Sequence, residues 1–116
     1  RFMSQQPFID GQHVVVAGTS TGGWASLAVA GRSIPGVQLV VNFAGGRGGH
    51  AYGRPHAVCA KERLIETAGR LGERARVPSV WFYARNDSYF GPQLADAMAA
   101  AWQRAGGRVD LKLLPA

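Results

Sequence analysis

Apolar residues fall along this chain in four compact runs separated by stretches of helical spacing. The runs cover roughly residues 13 to 17, 37 to 43 (Val37-Gln38-Leu39-Val40-Val41-Asn42-Phe43), 79 to 84 (Ser79-Val80-Trp81-Phe82-Tyr83-Ala84) and 109 to 114. Their length and their enrichment in Val, Leu and aromatic residues predict β-strands. Between them, residues 22 to 31, about 58 to 74 and 92 to 105 read as helices. In the second, Leu64, Ile65, Ala68 and Leu71 share one stripe; in the third, Leu94, Met98, Ala101 and Trp102 do, with Gly106-Gly107 as a stop signal. The predicted order is βαβαβαβ.

Strands alternating with helices imply an α/β fold with a mostly parallel sheet, joined by right-handed crossover helices. If the strands lie in sequential order, three crossovers in one direction place all three helices on the same face and leave the other bare. The strand runs are nonetheless apolar at consecutive positions, as in sheets buried on both sides. Something outside residues 1 to 116 is therefore expected to cover the second face. A reversed strand order, with helices on both sides, is the alternative. No internal repeat or low-complexity tract interrupts the pattern. One connection, Ala44 to Pro55, exceeds the roughly 2 to 6 residues usual between a strand and a helix. It carries Gly45-Gly46-Arg47-Gly48-Gly49-His50 at the end of a strand, where long loops shape binding sites, so Gly45, Gly46 and His50 are candidate substrate contacts.

The 116 residues have the length of one domain, and 47% hydrophobic with 17% charged residues is ordinary for a packed core. No stretch approaches the roughly 20 apolar residues a membrane helix requires. Arg1-Phe2-Met3-Ser4 has no apolar signal core behind it and does not open on Met, so no compartment is read from it. The net charge of +6 comes almost wholly from arginines. They are scattered over helices and loops, with Arg74-Ala75-Arg76 the densest spot, which argues against a nucleic-acid interface. Cys59 is the sole cysteine, and neither CxxC nor HExxH occurs, so no metal or thiol-redox site is expected.

The candidate chemistry gathers at the carboxyl ends of the strands, where parallel α/β sheets bind ligands. Ser20 lies in Gly18-Thr19-Ser20-Thr21-Gly22-Gly23, directly between the first strand and the first helix. This is the context of the G-x-S-x-G elbow, in which a nucleophilic serine sits in a strained turn at a strand tip. The flanking glycines are expected because a Cβ there would collide with the neighbouring strand or helix. The bland alternative is a helix N-cap; glycine spacing and the upstream apolar strand favour the elbow. Thr21 would then offer its backbone N–H, at the helix N-terminus, to an oxyanion hole. Asp87 follows the third strand in Tyr83-Ala84-Arg85-Asn86-Asp87-Ser88 and fits equally a triad carboxylate or a turn residue before the helix that Pro92 opens. Of the histidines, His13 is at the wrong end of its strand and His56 reads as surface or packing. His50 is at the correct edge, in a glycine-rich loop, and is a poor candidate for the base.

These residues resemble the α/β-hydrolase fold, and within it the dienelactone-hydrolase-related branch. The resemblance runs over nearly the whole chain. It rests on Val15 to Trp24, on Val40-Val41-Asn42-Phe43-Ala44-Gly45-Gly46, and on Val77 to Asp87. It implies that the four strands are the fifth to eighth of that fold, that Ser20 is the nucleophile, and that Asp87 takes the acid position after the seventh strand. The family order is Ser, Asp, His. The resemblance therefore puts the base beyond Ala116, and puts the early strands, the covering helices and the second oxyanion donor outside this chain. Dienelactone hydrolases proper use a cysteine nucleophile. Serine at the elbow turns the expectation toward a hydrolase of small carboxylic esters that forms an acyl-enzyme and needs no cofactor. A peptidase or acyltransferase on the same scaffold is the nearest rival. In a non-catalytic module, Gly18 to Gly23 would merely hold an anion. No nucleic-acid or membrane partner is expected, and the oligomeric state is left open.

Overall fold

The structure, a computed structural model, describes residues 2–116. After a 3-10 turn, Met3–Gln5, the chain forms β1 (Val14–Thr19), α1 (Thr21–Val29), β2 (Val37–Phe43), a second 3-10 turn (Ala51–Gly53), α2 (Lys61–Arg74), β3 (Ser79–Ala84), α3 (Pro92–Arg104) and β4 (Val109–Leu114). The four strands are all parallel and lie in the order β1-β2-β3-β4. Sequential order is thus the arrangement adopted, and the reversed order is excluded. Helix residues Leu27, Leu64, Ala68, Leu94, Met98 and Trp102 join Val40, Trp81 and Tyr83 in one core cluster, so all three helices pack on the same face of the sheet.

That arrangement imprints alternation on strands that look uniformly apolar in sequence. In β3, Ser79, Trp81 and Tyr83 are buried against the helices while Val80, Phe82 and Ala84 point to the opposite face. Register aligns Val15 with Leu39, Val41 with Val80, and Phe43 with Phe82, which continues that outward apolar surface across three strands. Phe43 and Phe82 stack there at 5.1 Å. Among the described residues no helix covers this face, and Val15 and Phe43 remain 55% and 42% exposed.

Several predicted boundaries shift: β1 runs on to Thr19 rather than ending at residue 17, and α1 covers Thr21–Val29 rather than residues 22 to 31. The first strand begins at Val14, because His13 is still held in the preceding turn, its N–H donating to the Asp10 carbonyl at 3.2 Å. In the same turn the Gln12 N–H and the His13 ring hold the Asp10 carboxyl below its usual range. The second helix begins at Lys61, not near residue 58. Val58 pairs with Gly49 in an isolated antiparallel bridge, and Ala60 is left-handed at φ 52, which ends the loop before the helix can start. Within α2, Leu64, Ala68 and Gly72 form the buried stripe. Gly72 meets α3 at Trp102, where a Cβ would come within 2.6 Å of the Trp102 carbonyl oxygen.

Candidate active site

A single residue, Ser20, separates β1 from α1, and its backbone stands at φ 55, ψ −121. A non-glycine residue there is strained by about 1–3 kcal/mol and persists only when its surroundings over-determine it. Three hydrogen bonds do so. The Ser20 N–H donates to the Phe43 carbonyl at 2.9 Å, and the Ser20 carbonyl accepts from the N–H groups of Trp24 at 3.0 Å and Gly46 at 3.3 Å. The strand end of β2, the first turn of α1 and the loop after β2 therefore hold one residue from three sides. The hydroxyl takes no part. It makes no capping hydrogen bond, and the residue is exposed. An N-cap has extended backbone and a bonded side chain; Ser20 has neither.

The glycines around it have unequal reasons. A Cβ on Gly18 would run into the Gly22 carbonyl, and one on Gly23 would meet the Asn42 Oδ1 at 2.5 Å. Gly22 has nothing within 4 Å of its Cβ position. The steric demand expected of both motif glycines is thus met at Gly18, and its second half moves from Gly22 to Gly23. Thr21, the first residue of α1, presents its N–H at the positive end of the helix.

Beneath the elbow lies a buried polar chain that sequence reasoning missed. Asn42 Nδ2 donates to the Tyr83 hydroxyl at 3.1 Å, which donates in turn to the Gly45 carbonyl at 2.7 Å. Burial pushes the Tyr83 phenol well above its ordinary range, so it stays a neutral donor. Asn42 Oδ1 is buried without a hydrogen-bond partner among the described residues and fills the space a Cβ would need at both Gly23 and Gly45. An asparagine inside the apolar run of the second strand was the available signal. Gly45 and Gly46, expected as substrate contacts, sit behind the elbow. Gly45 packs on Asn42, and Gly46 braces Ser20 and lies against the Phe90 ring.

Ser20 and Asp87 line the same pocket, of about 250 Å³, together with Ala44, Tyr89 and Phe90. Asp87 Oδ1 accepts the N–H groups of Tyr89 at 2.7 Å and Phe90 at 3.0 Å. This is the turn role foreseen for it. It occupies one carboxylate oxygen and leaves Oδ2 without a partner among the described residues. No histidine lines the pocket. His50 shares a hydrogen bond of 2.8 Å with Ser88 Oγ and lies flat on Tyr89, ring centroids 3.5 Å apart. His13 is paired to Asp10 at the far end of β1, and His56 is exposed. A larger cavity, about 470 Å³, borders Phe8, His13, Ile34 and Val37. It lies at the amino ends of β1 and β2, away from the edge where parallel sheets place their chemistry. Among the described residues no group of three or more His, Cys, Asp or Glu is arranged to hold a metal ion, and no helix is long and apolar enough to cross a membrane.

No family model matches the sequence, and no curated protein does. Solved structures do match the architecture. A protein described as a dienelactone hydrolase from Klebsiella pneumoniae superposes with a TM-score of 0.64 at 15% identity, over 91% of this chain and 40% of its own. Acylaminoacyl peptidase of Pyrococcus horikoshii gives 0.69 at 12% identity, over 97% of this chain and 21% of its own. A puromycin-hydrolyzing peptidase of Mycobacterium tuberculosis gives 0.64 at 17% identity, over 91% and 18%. The chain is an α/β protein whose sheet and crossover helices reproduce part of the α/β-hydrolase fold. It spans less than half the length of each of these three chains.

Proposed function

We propose that this chain carries the nucleophile and the acid of a serine hydrolase acting on carboxylic esters. The observation that supports the reading most directly is the strained backbone of Ser20, with its hydroxyl unbonded among the described residues, in a pocket shared with the Asp87 carboxylate. Three backbone hydrogen bonds maintain the strain around an exposed side chain, and the turn projects its hydroxyl beyond the strand end.

In the proposed reaction Ser20 Oγ attacks the ester carbonyl carbon while a histidine, supplied from outside these 116 residues, takes the hydroxyl proton. Asp87 Oδ2 holds that histidine in the tautomer that can accept it. The developing oxyanion takes the Thr21 N–H and a second donor from elsewhere in the protein. Collapse expels the alcohol, which receives the proton from the histidine and leaves an acyl-enzyme on Ser20. Water, deprotonated by the same histidine, then releases the acid. The apolar walls of the pocket, Ala44, Tyr89 and Phe90, suit an uncharged acyl or alcohol group. A peptidase is the second reading, supported by the names of two of the three structural neighbours.

The test is mass spectrometry after incubation with a fluorophosphonate, on the full-length protein and on the 116-residue chain alone. Covalent mass on Ser20 in the former, and little or none in the latter, is expected. A folded full-length protein that stays unlabelled would remove the nucleophile assignment. Matched p-nitrophenyl ester and p-nitroanilide substrates then separate esterase from peptidase, with a kcat/KM favouring the ester expected.

A further inference from the structure

The loop after β2 and the loop that carries Asp87 belong to different crossovers, yet they are fastened together at several points. His50 Nε2 and Ser88 Oγ are 2.8 Å apart, sharing a hydrogen bond whose donor depends on the imidazole tautomer. The same ring lies on Tyr89 with an interplanar angle of 4°. The His56 N–H donates to the Ser88 carbonyl at 2.6 Å. Gly46 and Gly49 approach the rings of Phe90 and Tyr89 so closely that a Cβ at either would come within 3 Å. The residues gripped, Ser88, Tyr89 and Phe90, are those that follow Asp87, and the N–H groups of the last two are what its Oδ1 accepts.

His50 holds the left-handed conformation, φ 53, ψ 43, a region in which histidine is among the non-glycine residues most often found. Tyr89 is 49% exposed and Ser88 is only partly buried, so neither is immobilised by the core. Without the imidazole, Ser88 Oγ would lose its partner and the Tyr89 ring its stacked face, leaving the His56 N–H and the close approach of Gly46 and Gly49 to hold the segment, and any shift of it would carry Asp87 Oδ1 with the amides to which it is bonded.

We infer that His50 is a positioning residue: its ring, bonded to Ser88 and stacked on Tyr89, fixes the acid loop and so sets where Asp87 presents its free oxygen. The inference rests on Ser20 and Asp87 acting together as proposed above. The imidazole is occupied on one edge and one face by the acid loop and does not line the Ser20 pocket. It neither accepts the serine proton nor touches substrate in this role. Tyr89 is also a wall of the pocket, so the same contact fixes the pocket's shape.

The test uses the full-length protein and reads the rate at which a fluorophosphonate labels Ser20, with kcat and KM on a p-nitrophenyl ester. His50→Phe keeps a ring for Tyr89 but drops the hydrogen bond; Ser88→Ala drops the same bond from the other side with little steric change. Each is expected to slow labelling and kcat roughly 10-fold, in line with the cost of a small displacement near a catalytic group, with KM changed less than kcat. The H50F/S88A double variant is expected to be no slower than the slower single, because both remove one bond. In an Asp87→Asn background neither substitution should slow labelling further, a result that a general loss of folding would not give. Should His50→Phe fail to fold, Ser88→Ala carries the same comparison. Rates within twofold of the parent for the folded variants overturn the inference, as does an undiminished effect on top of Asp87→Asn. Near-complete loss in His50→Phe with Ser88→Ala unaffected also overturns it, by making His50 the base itself. A parent protein that is not labelled removes the Ser20 reading, a failure distinct from all of these.

Discussion

Tyr83 shows how a residue remote from Ser20 can brace the turn that holds it. Its hydroxyl links Asn42 on β2 to the Gly45 carbonyl, and Gly46 next along the chain donates to Ser20. Tyr83→Phe leaves a buried carbonyl and a buried amide without partners, which costs about 1–3 kcal/mol in such settings. The same residue predicts a pH dependence. Burial holds the folded phenol above the unfolded value of 10.0. Below that pH both states are protonated and the contribution is complete. Above it the unfolded chain releases a proton that the folded chain retains, so stability falls as pH rises. Urea unfolding of the full-length protein from pH 8 to 11 is expected to show a decline beginning near pH 10, and a shallower one in Tyr83→Phe. Equal slopes would detach the decline from this residue. None of this was legible beforehand, since a tyrosine in an apolar strand reads as packing until its partner, 41 residues earlier, is known. The strained turn at Ser20 was legible for the opposite reason. It is announced by its immediate neighbours, Gly18 and the strand behind it, and local sequence is enough to specify a local turn.

At the scale of elements, α2 and α3 pack through glycines whose roles differ. A Cβ on Gly72 would press on the Trp102 backbone at 2.6 and 2.7 Å, whereas one on Gly69 would meet nothing nearer than 3.6 Å, the Ala101 carbonyl. Replacing a helical glycine by alanine gains about 0.5–1 kcal/mol from chain entropy. At Gly69 that gain stands alone, so Gly69→Ala should stabilise. At Gly72 the helices must separate, at a typical cost of about 1–3 kcal/mol for overpacking, so Gly72→Ala should destabilise. Opposite shifts in thermal midpoint are expected from the pair, and a rise in both would mean that α2 slides freely over α3. Strands β2, β3 and β4 stand where the apolar runs put them, because four to seven apolar residues between turn signals leave a parallel strand few other places to lie. The start of α2 was misread. Val58 and Cys59 extend its hydrophobic pattern, but the bridge from Val58 to Gly49 and the bond from the Cys59 N–H to the Gly48 carbonyl claim them for the loop. Loop docking of that kind, like the contact of His50 with the loop that carries Asp87, depends on where two connections meet in space and leaves no periodic trace.

For the molecule as a whole, the helices cover one sheet face, and the other presents Val15, Leu39, Val41, Phe43, Val80 and Phe82 as a continuous apolar surface. Consecutive apolar residues in the strands had pointed to burial on both sides, and the structure shows which side is left uncovered among the described residues. The polar end of the same face is β4, where Lys112 pairs with Asp110 at 3.1 Å. An apolar surface of this kind favours association, since each fully buried Phe, Leu or Val side chain contributes about 1.5–3 kcal/mol. The 116-residue chain produced alone is therefore expected to associate in a concentration-dependent manner and to bind the dye ANS. A charge at the centre of the surface should oppose both, because an unpaired charge is costly to bury. Phe82→Lys is expected to shift the chain toward monomer in sedimentation velocity and to weaken dye binding, whereas Asp110→Lys, at the polar end, should change neither appreciably. If the parent chain sediments as a monomer at high micromolar concentration and binds no dye, the outward face is not adhesive. The two variants also separate this surface from the open edge of β1, which Phe82→Lys leaves intact.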